Sequence, residues 1–243
     1  MKVGRISAIF RYPVKSMAGE SLEVARLGWH GIEGDRRFAL RRLTDKSNFP
    51  WLSASKLPEL ILYKPFGFDS NNAELLPTHV RTPDGKEYEL QSNELREEIS
   101  RRYGSDVELM NLKAGVFDEA PISVITSSTV QCIERESGRS VGSCDIRRFR
   151  PNVLIESVSA EPFEEDRWVG QTLMFGEGDD CAVIKVYMKD ERCRMVNLDP
   201  DTAERDVQVM RTVVRLNENY AGGYGTVVRA GELRVGQVVT LSA

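Results

Sequence analysis

Short apolar runs broken by turn residues dominate this chain and constrain its fold more than any other feature. "VGRISAIF", "RRFALRRL", "DVELMNL", "PISVITS", "PNVLIE", "QTLMFG", "CAVIKVYM", "RCRMVNL", "GTVVRA" and "QVVTLSA" are strand-like and separated by Gly, Pro, Asn and Asp. "ELILYKPF" and "SLEVARL" read the same way. In "HVRTPDGKEYEL", Pro83-Asp84-Gly85 makes a hairpin turn, because Pro presets φ and Gly accepts a positive φ; the strands are expected over Thr78–Arg81 and Lys86–Leu90.

Helices are few. Ser92 or Asn93 caps "ELREEISRRYG", with Gly104 closing it. A second helix begins at Ser127 or Ser128 and runs through Val130 and Ile133 towards Gly138, and a third lies within Ala203–Leu216, where Val207, Met210 and Val214 recur at helical spacing. The expected class is therefore mainly β with a few helices (α+β), built as barrels rather than a doubly wound sheet. The Gly- and Pro-containing link Lys113–Ser123 divides it into two β-rich units, residues 1–115 and 116–243.

The 243 residues, 41% hydrophobic, suffice for one large or two small cores. With 33 Lys and Arg against 37 Asp and Glu the net charge is −4, so no global basic field recruits nucleic acid, and an anion site must be local. Four cysteines (Cys132, Cys144, Cys181, Cys193) show no C-x-x-C pairing and there are two histidines, which argues against zinc and against a disulfide framework. The N-terminus carries no secretory h-region and no stretch has the length of a membrane span, so a soluble, cytoplasmic protein with no membrane partner is expected.

Charged clusters supply the candidate site. Lys15-Ser16 in "RYPVKSMAG" offers donors suited to an oxyanion, although a solvated turn is the simpler reading. "GIEGDRRFALRRL" puts Arg36 after a Gly31/Gly34 turn, where it either forks onto a phosphate or pairs with Asp35. "DIRRFRPNVLIE" read as a strand places Arg148, Arg150 and Asn152 on one face, an anion clamp or a charge-protected edge. Thr126 and Ser127 stand at a strand-to-helix junction that can hold phosphate, though capping alone explains them. In "DERCRMVNLDPDT", Arg192 and Arg194 flank Cys193 and would favour its thiolate, yet on a strand both point away from it, so the local residues favour a structural thiol over a functional one.

The ordered set "YPVKS", "GDRRFAL", "RRFRPN", "RCRMVNLDPDT" and "GELRVGQVV" resembles the MOSC family, in the branch that carries an additional N-terminal β-barrel, typified by the mitochondrial amidoxime-reducing component and its bacterial relatives. The resemblance spans nearly the whole chain. It implies an N-terminal β-barrel domain followed by a MOSC β-barrel domain, and a molybdenum–molybdopterin cofactor with Cys193 as its protein sulfur ligand. Lys15, Ser16, Arg36, Arg150 and Asn152 match residues that hold the pterin and its phosphate; Arg192, Thr126 and Ser127 are further contacts. Pyridoxal phosphate is not expected. Two departures stand out: relatives often carry Arg in the segment matching "LSASKLPEL", where this chain has Ser55 and Lys56, and Glu191 replaces a Ser of the close mitochondrial relatives. The implied activity is reduction of small N-hydroxylated compounds (hydroxylamines, amidoximes, N-hydroxylated bases). The chain ends at Ala243 without the cysteines of a ferredoxin domain, so a separate reductase, ferredoxin or flavoprotein would supply electrons. A non-catalytic carrier of cofactor or sulfur is the alternative, and a cofactor-free anion-binding module a third.

Overall fold

The computed structural model describes residues 1–68, 76–138 and 145–242; Cys144 falls outside the described residues. In the first half the elements run β1 (Lys2–Arg11), β2 (Glu20–Leu22), β3 (Val24–Gly28), β4 (Gly31–Ile32), β5 (Phe38–Arg42), β6 (Lys64–Phe68), β7 (Pro77–Arg81), β8 (Glu87–Glu89), α1 (Asn93–Tyr103) and β9 (Val107–Asn111). The second half adds β10 (Ile122–Thr126), α2 (Ser127–Glu136), β11 (Val153–Ser157), β12 (Thr172–Phe175), β13 (Ala182–Glu191), α3 (Val207–Asn217), β14 (Tyr220–Arg229), β15 (Gly231–Arg234) and β16 (Val238–Ser242). The chain is mainly β with three α-helices among the described residues, as its punctuation implies.

Seven strands close a barrel in the order β1-β11-β10-β14-β13-β12-β16 and back to β1, with β2 added beside β1. Closure leaves these seven without a free edge. The N-terminal strand is itself a stave: Lys2 faces Thr240 of β16, while Gly4 to Ile9 lie along β11. The pair β10–β11 is parallel, and α2 supplies the crossover that a parallel pair requires. Inside, Val3, Ile6, Ile122, Val124, Ile155, Leu173, Phe175, Ile184, Val186 and Val239 form one core.

The remaining strands of the first half form the pair β5–β9 and the sheet β6-β7-β8, and β3-β4 joins β15. A second core, with Val14, Phe38, Leu40, Leu52, Leu60, Tyr63, Ile99 and Val107, fills this half and takes in Leu198 from the other. A third packs Val130 and Ile133 of α2 and Val209 and Val213 of α3 against Phe149 and Val196. Val196 and Leu198 therefore anchor the segment after the RC motif to two different cores.

Local chemistry explains most boundaries. Ser92 Oγ accepts the Leu95 N–H at 3.2 Å and Gly104, at φ 80°, closes α1. The hairpin β7–β8 turns at Gly85, φ 84°. Thr126 caps α2, which starts at Ser127 as expected, and Asp206 caps α3, which starts at Val207. Three expected strands are different. "RCRMVNL" contains a 3-10 turn over Arg194–Asn197, because β13 stops at Glu191; "RRFR" begins inside a 3-10 turn, Ile146–Arg148, and leaves it at Phe149; and "ELIL" lies in another, Pro58–Leu62, before β6 begins. Strand alternation therefore does not operate at Arg148, Arg150 or Cys193. No helix among the described residues is long and apolar enough to cross a membrane.

Candidate functional site

The segments Lys15–Ser16, Arg36, 49–55, 118–119, 148–150 and 190–196, with Tyr224, enclose a cavity of about 380 Å³ where the first-half core meets the barrel. Backbone bonds lace its floor: Arg36 N–H donates to Tyr12 O at 2.7 Å, Lys15 N–H to Phe38 O at 2.8 Å, and Val116 N–H to Arg36 O at 2.9 Å. Ser16, Arg36 and Arg150 all adopt a positive φ (68°, 51° and 50°). For residues with a Cβ this conformation costs about 1 kcal/mol or more each and persists where surrounding structure enforces it, often at functional sites.

One buried carboxylate organises the basic wall. Asp35, fully buried, accepts the Tyr12 N–H at 2.7 Å on Oδ1 and the Asn152 amide at 3.0 Å on Oδ2, and Oδ2 also pairs with Arg36. Arg36 Nη2 in turn donates to Arg150 O at 3.0 Å. Arg150 lies over the Tyr12 ring, 4.2 Å from its centroid, and its Nη1 donates to Met17 O at 2.8 Å. Its Nη2 is buried with no hydrogen-bond partner among the described residues. Burial, assisted by nearby Arg36, pushes the Arg150 guanidinium down to about 10, so it stays charged at neutral pH while short of an anion. Lys15 is 7% exposed, meets Asp118 at 2.7 Å, and is lowered from its ordinary range chiefly by burial.

Arg192 is held from three sides. Nε donates to Ala221 O and Nη1 to Phe149 O, both at 2.6 Å, and Nη2 stands 2.7 Å from Asp190 Oδ2. The guanidinium fits because residue 222 is glycine at φ 95°: a Cβ there would lie 2.6 Å from Val124 O and 2.9 Å from Arg192 Nη2. Cys193, next in sequence, starts the 3-10 turn and is exposed in the cavity wall, the opposite of a packed structural thiol.

Of the sequence-derived candidates, Lys15, Ser16, Arg36, Arg150, Arg192 and Cys193 converge on this cavity. Asn152 stands behind the wall: it is 1% exposed and ties Asp35 to Ser123 N–H (3.1 Å) and Phe10 O (3.3 Å). Thr126 and Ser127 do not line it. Thr126 is fully buried, and its N–H and hydroxyl both engage Glu165, at 3.2 and 3.0 Å, so its polar groups are consumed in the α2 cap. Arg148 reaches the cavity through a helical turn rather than a strand face, paired to Asp199 at 2.6 Å. Asp118, Asp190, Tyr224, Phe49 and the hydroxyl pair Ser53–Ser55 (2.6 Å apart) complete the surroundings and were not signalled by the basic motifs. "GDRR" does contain Asp35, and its place beside Arg36 is the one clue to its role.

A cavity with five cations, three of them (Arg148, Arg150 and Arg192) with a buried nitrogen lacking a hydrogen-bond partner among the described residues, beside an accessible thiol can hold a phosphorylated ligand and offer sulfur to a soft metal. Comparison with known proteins gives the family. The MOSC N-terminal beta barrel domain matches residues 3–120 and the MOSC domain residues 103–240. Mitochondrial amidoxime reducing component 2 of Rattus norvegicus is 22% identical over 98% of this chain and 83% of its own length. Among solved structures, the YuaD protein of Bacillus subtilis superposes with a TM-score of 0.52 at 13% identity, over 98% of this chain and 95% of that one, a likeness of fold. With the MOSC domain alone matching more than half of its residues, the chain belongs to the MOSC domain family.

Proposed function

We propose that this protein binds a molybdenum–molybdopterin cofactor and reduces N-hydroxylated compounds such as hydroxylamines and amidoximes by cleaving the N–O bond, with electrons from a separate donor protein. The observation that carries this reading is the buried, unpartnered Arg150 Nη2 across the same cavity from the exposed Cys193 thiol. The residues suit the group: Lys15, Ser16, Arg36 and Arg150 would hold its phosphate and pterin, and Cys193 would ligate the metal. A thiolate is a soft donor and must be deprotonated to ligate. When bound, the cofactor supplies the two-electron chemistry, and the protein supplies binding and electrostatics. Arg36 and Arg150, already fixed by Asp35 and Met17 O, neutralise the cofactor's charge without reorganising. The name of the rat relative supports the reductase class.

The test is benzamidoxime reduction by protein purified from a molybdopterin-competent host, with a chemical electron donor. Activity proportional to molybdenum content is expected. Metal-replete protein inert towards every N-oxygenated substrate would refute the reductase reading, and stoichiometric transfer of its cofactor to an apo-enzyme would establish a carrier instead.

A further inference from the structure

Three buried carboxylates can be compared inside this molecule. Asp35 and Glu165 engage both oxygens in hydrogen bonds: Asp35 with Tyr12 N–H, Asn152 and Arg36, and Glu165 with Thr126 N–H and the Thr126 and Thr129 hydroxyls. That is what a structural carboxylate does. Asp190 does not. It is 1% exposed, lies in the cavity wall three residues before Cys193, and neither oxygen completes a hydrogen bond among the described residues, although the Tyr224 hydroxyl faces it and favours its charged form. Its ion-pair partner, Arg192, has given Nε and Nη1 to carbonyls and has one nitrogen left, 2.7 Å away.

The backbone is also irregular here. In β13, Lys189 faces Gly223 but Glu191 faces Tyr220, so the register shifts at Asp190. Irregularities of this kind re-aim a side chain and are frequent beside active sites.

We propose that Asp190 is the proton donor for N–O cleavage in this cavity, with Arg192 and Tyr224 positioning it. The proposal rests on the reductase reading above and adds the source of the proton. Reduction of R–NH–OH or of an amidoxime consumes two electrons and two protons: the N–O bond breaks, one N–H and one O–H bond form, and amine or amidine leaves with water. Asp190 gives one proton to the substrate nitrogen as the bond breaks and becomes a carboxylate beside Arg192. Water at the open mouth supplies the second proton and reprotonates Asp190, and the electrons come from the separate donor. The groups that face Asp190 are Arg192 on its own segment, Tyr224 on β14, Asp118 in the link between β9 and β10, and Arg36 from the first half. Burial outweighs the attraction of Arg192 and pushes the carboxyl up to about 7, where an acid gives and regains a proton with least cost near neutral pH.

Asp190→Asn keeps the shape and removes the transferable proton. In molybdenum-loaded protein with reduced methyl viologen, kcat per molybdenum for benzamidoxime should fall about 100-fold or more with KM little changed. The wild-type decline of kcat above about pH 7 should vanish in that variant, and Asp190→Glu should recover part of the rate. A second readout needs neither cofactor nor variant folding: infrared titration of the cofactor-free wild type should show a protonated-carboxyl band that disappears around pH 7. Asp190→Asn with kcat within threefold of wild type and the same pH profile would overturn the proposal while leaving the reductase reading intact. Absence of the carboxyl band would overturn it as well. A metal-replete wild type inert to all N-oxygenated substrates would instead overturn the reductase reading on which it rests.

Discussion

Replacing Asp35 by Asn tests the account of the basic wall. The side chain is fully buried and serves three donors: Tyr12 N–H at 2.7 Å, Asn152 Nδ2 at 3.0 Å and the Arg36 guanidinium. Asparagine keeps one oxygen, enough for Tyr12, and turns an amide donor towards Asn152 and Arg36. Arg36, 15% exposed, then loses its counter-charge in a site it shares with Arg150. Removing one partner of a buried ion pair costs about 3–5 kcal/mol, because the remaining charge is left uncompensated. For a chain of this length that lowers the melting temperature by about 6–20 °C, measurable by circular dichroism. The same logic makes Asp35→Asn and Arg36→Met non-additive: with the guanidinium gone the asparagine strands no charge, so the double variant should be at least about 1 kcal/mol more stable than the sum of the singles predicts. A single Asp35→Asn within about 1 kcal/mol of wild type, or strict additivity, would refute the claim that this carboxylate organises the wall.

Gly222→Ala puts a Cβ 2.6 Å from Val124 O at φ 95°, and should cost about 2–4 kcal/mol in urea denaturation while displacing Arg192. Thr126→Val removes the α2 cap and leaves Glu165 short of a donor, costing about 2–4 kcal/mol by the same assay, with molybdenum per folded chain unchanged because Thr126 does not reach the cavity. Asp190 also gives stability a pH dependence. Folding raises its carboxyl from 3.8 to about 7, so its contribution is full below about pH 4 and lost as pH rises through 7; the stability of wild type relative to Asp190→Asn should therefore decline across that window, and a constant difference would contradict the burial argument.

Much of the fold was legible because strand punctuation and helix caps are local. Ser92 and Gly104 bound α1, Gly85 turns the hairpin, and the runs after residue 120 form the barrel. Closure of the barrel by the N-terminal strand was not legible, since β1 meets β16 across nearly the whole chain and no local pattern encodes that pairing. In the site, the charged residues advertised themselves in turns, but period-two alternation misdescribed Arg148 and Arg150, which occupy 3-10 and left-handed backbone, and Cys193, an extended residue that opens a 3-10 turn rather than continuing a strand. Thr126 sat in a context where a phosphate site and a plain cap look alike, and Glu165, which decides between them, comes from 39 residues away. Asp190 and Tyr224 were silent because a carboxylate or phenol in a β-run acquires its chemistry only from burial.

The central claim is that Cys193 holds molybdenum in this cavity. Its thiol is exposed, so Cys193→Ser should leave the melting temperature within about 2 °C of wild type. Elemental analysis of both proteins, purified side by side from a molybdopterin-competent host, is the direct measurement. The account predicts near-stoichiometric molybdenum in wild type and loss of most of it from the equally stable variant; equal metal in both, or none in either, would contradict it.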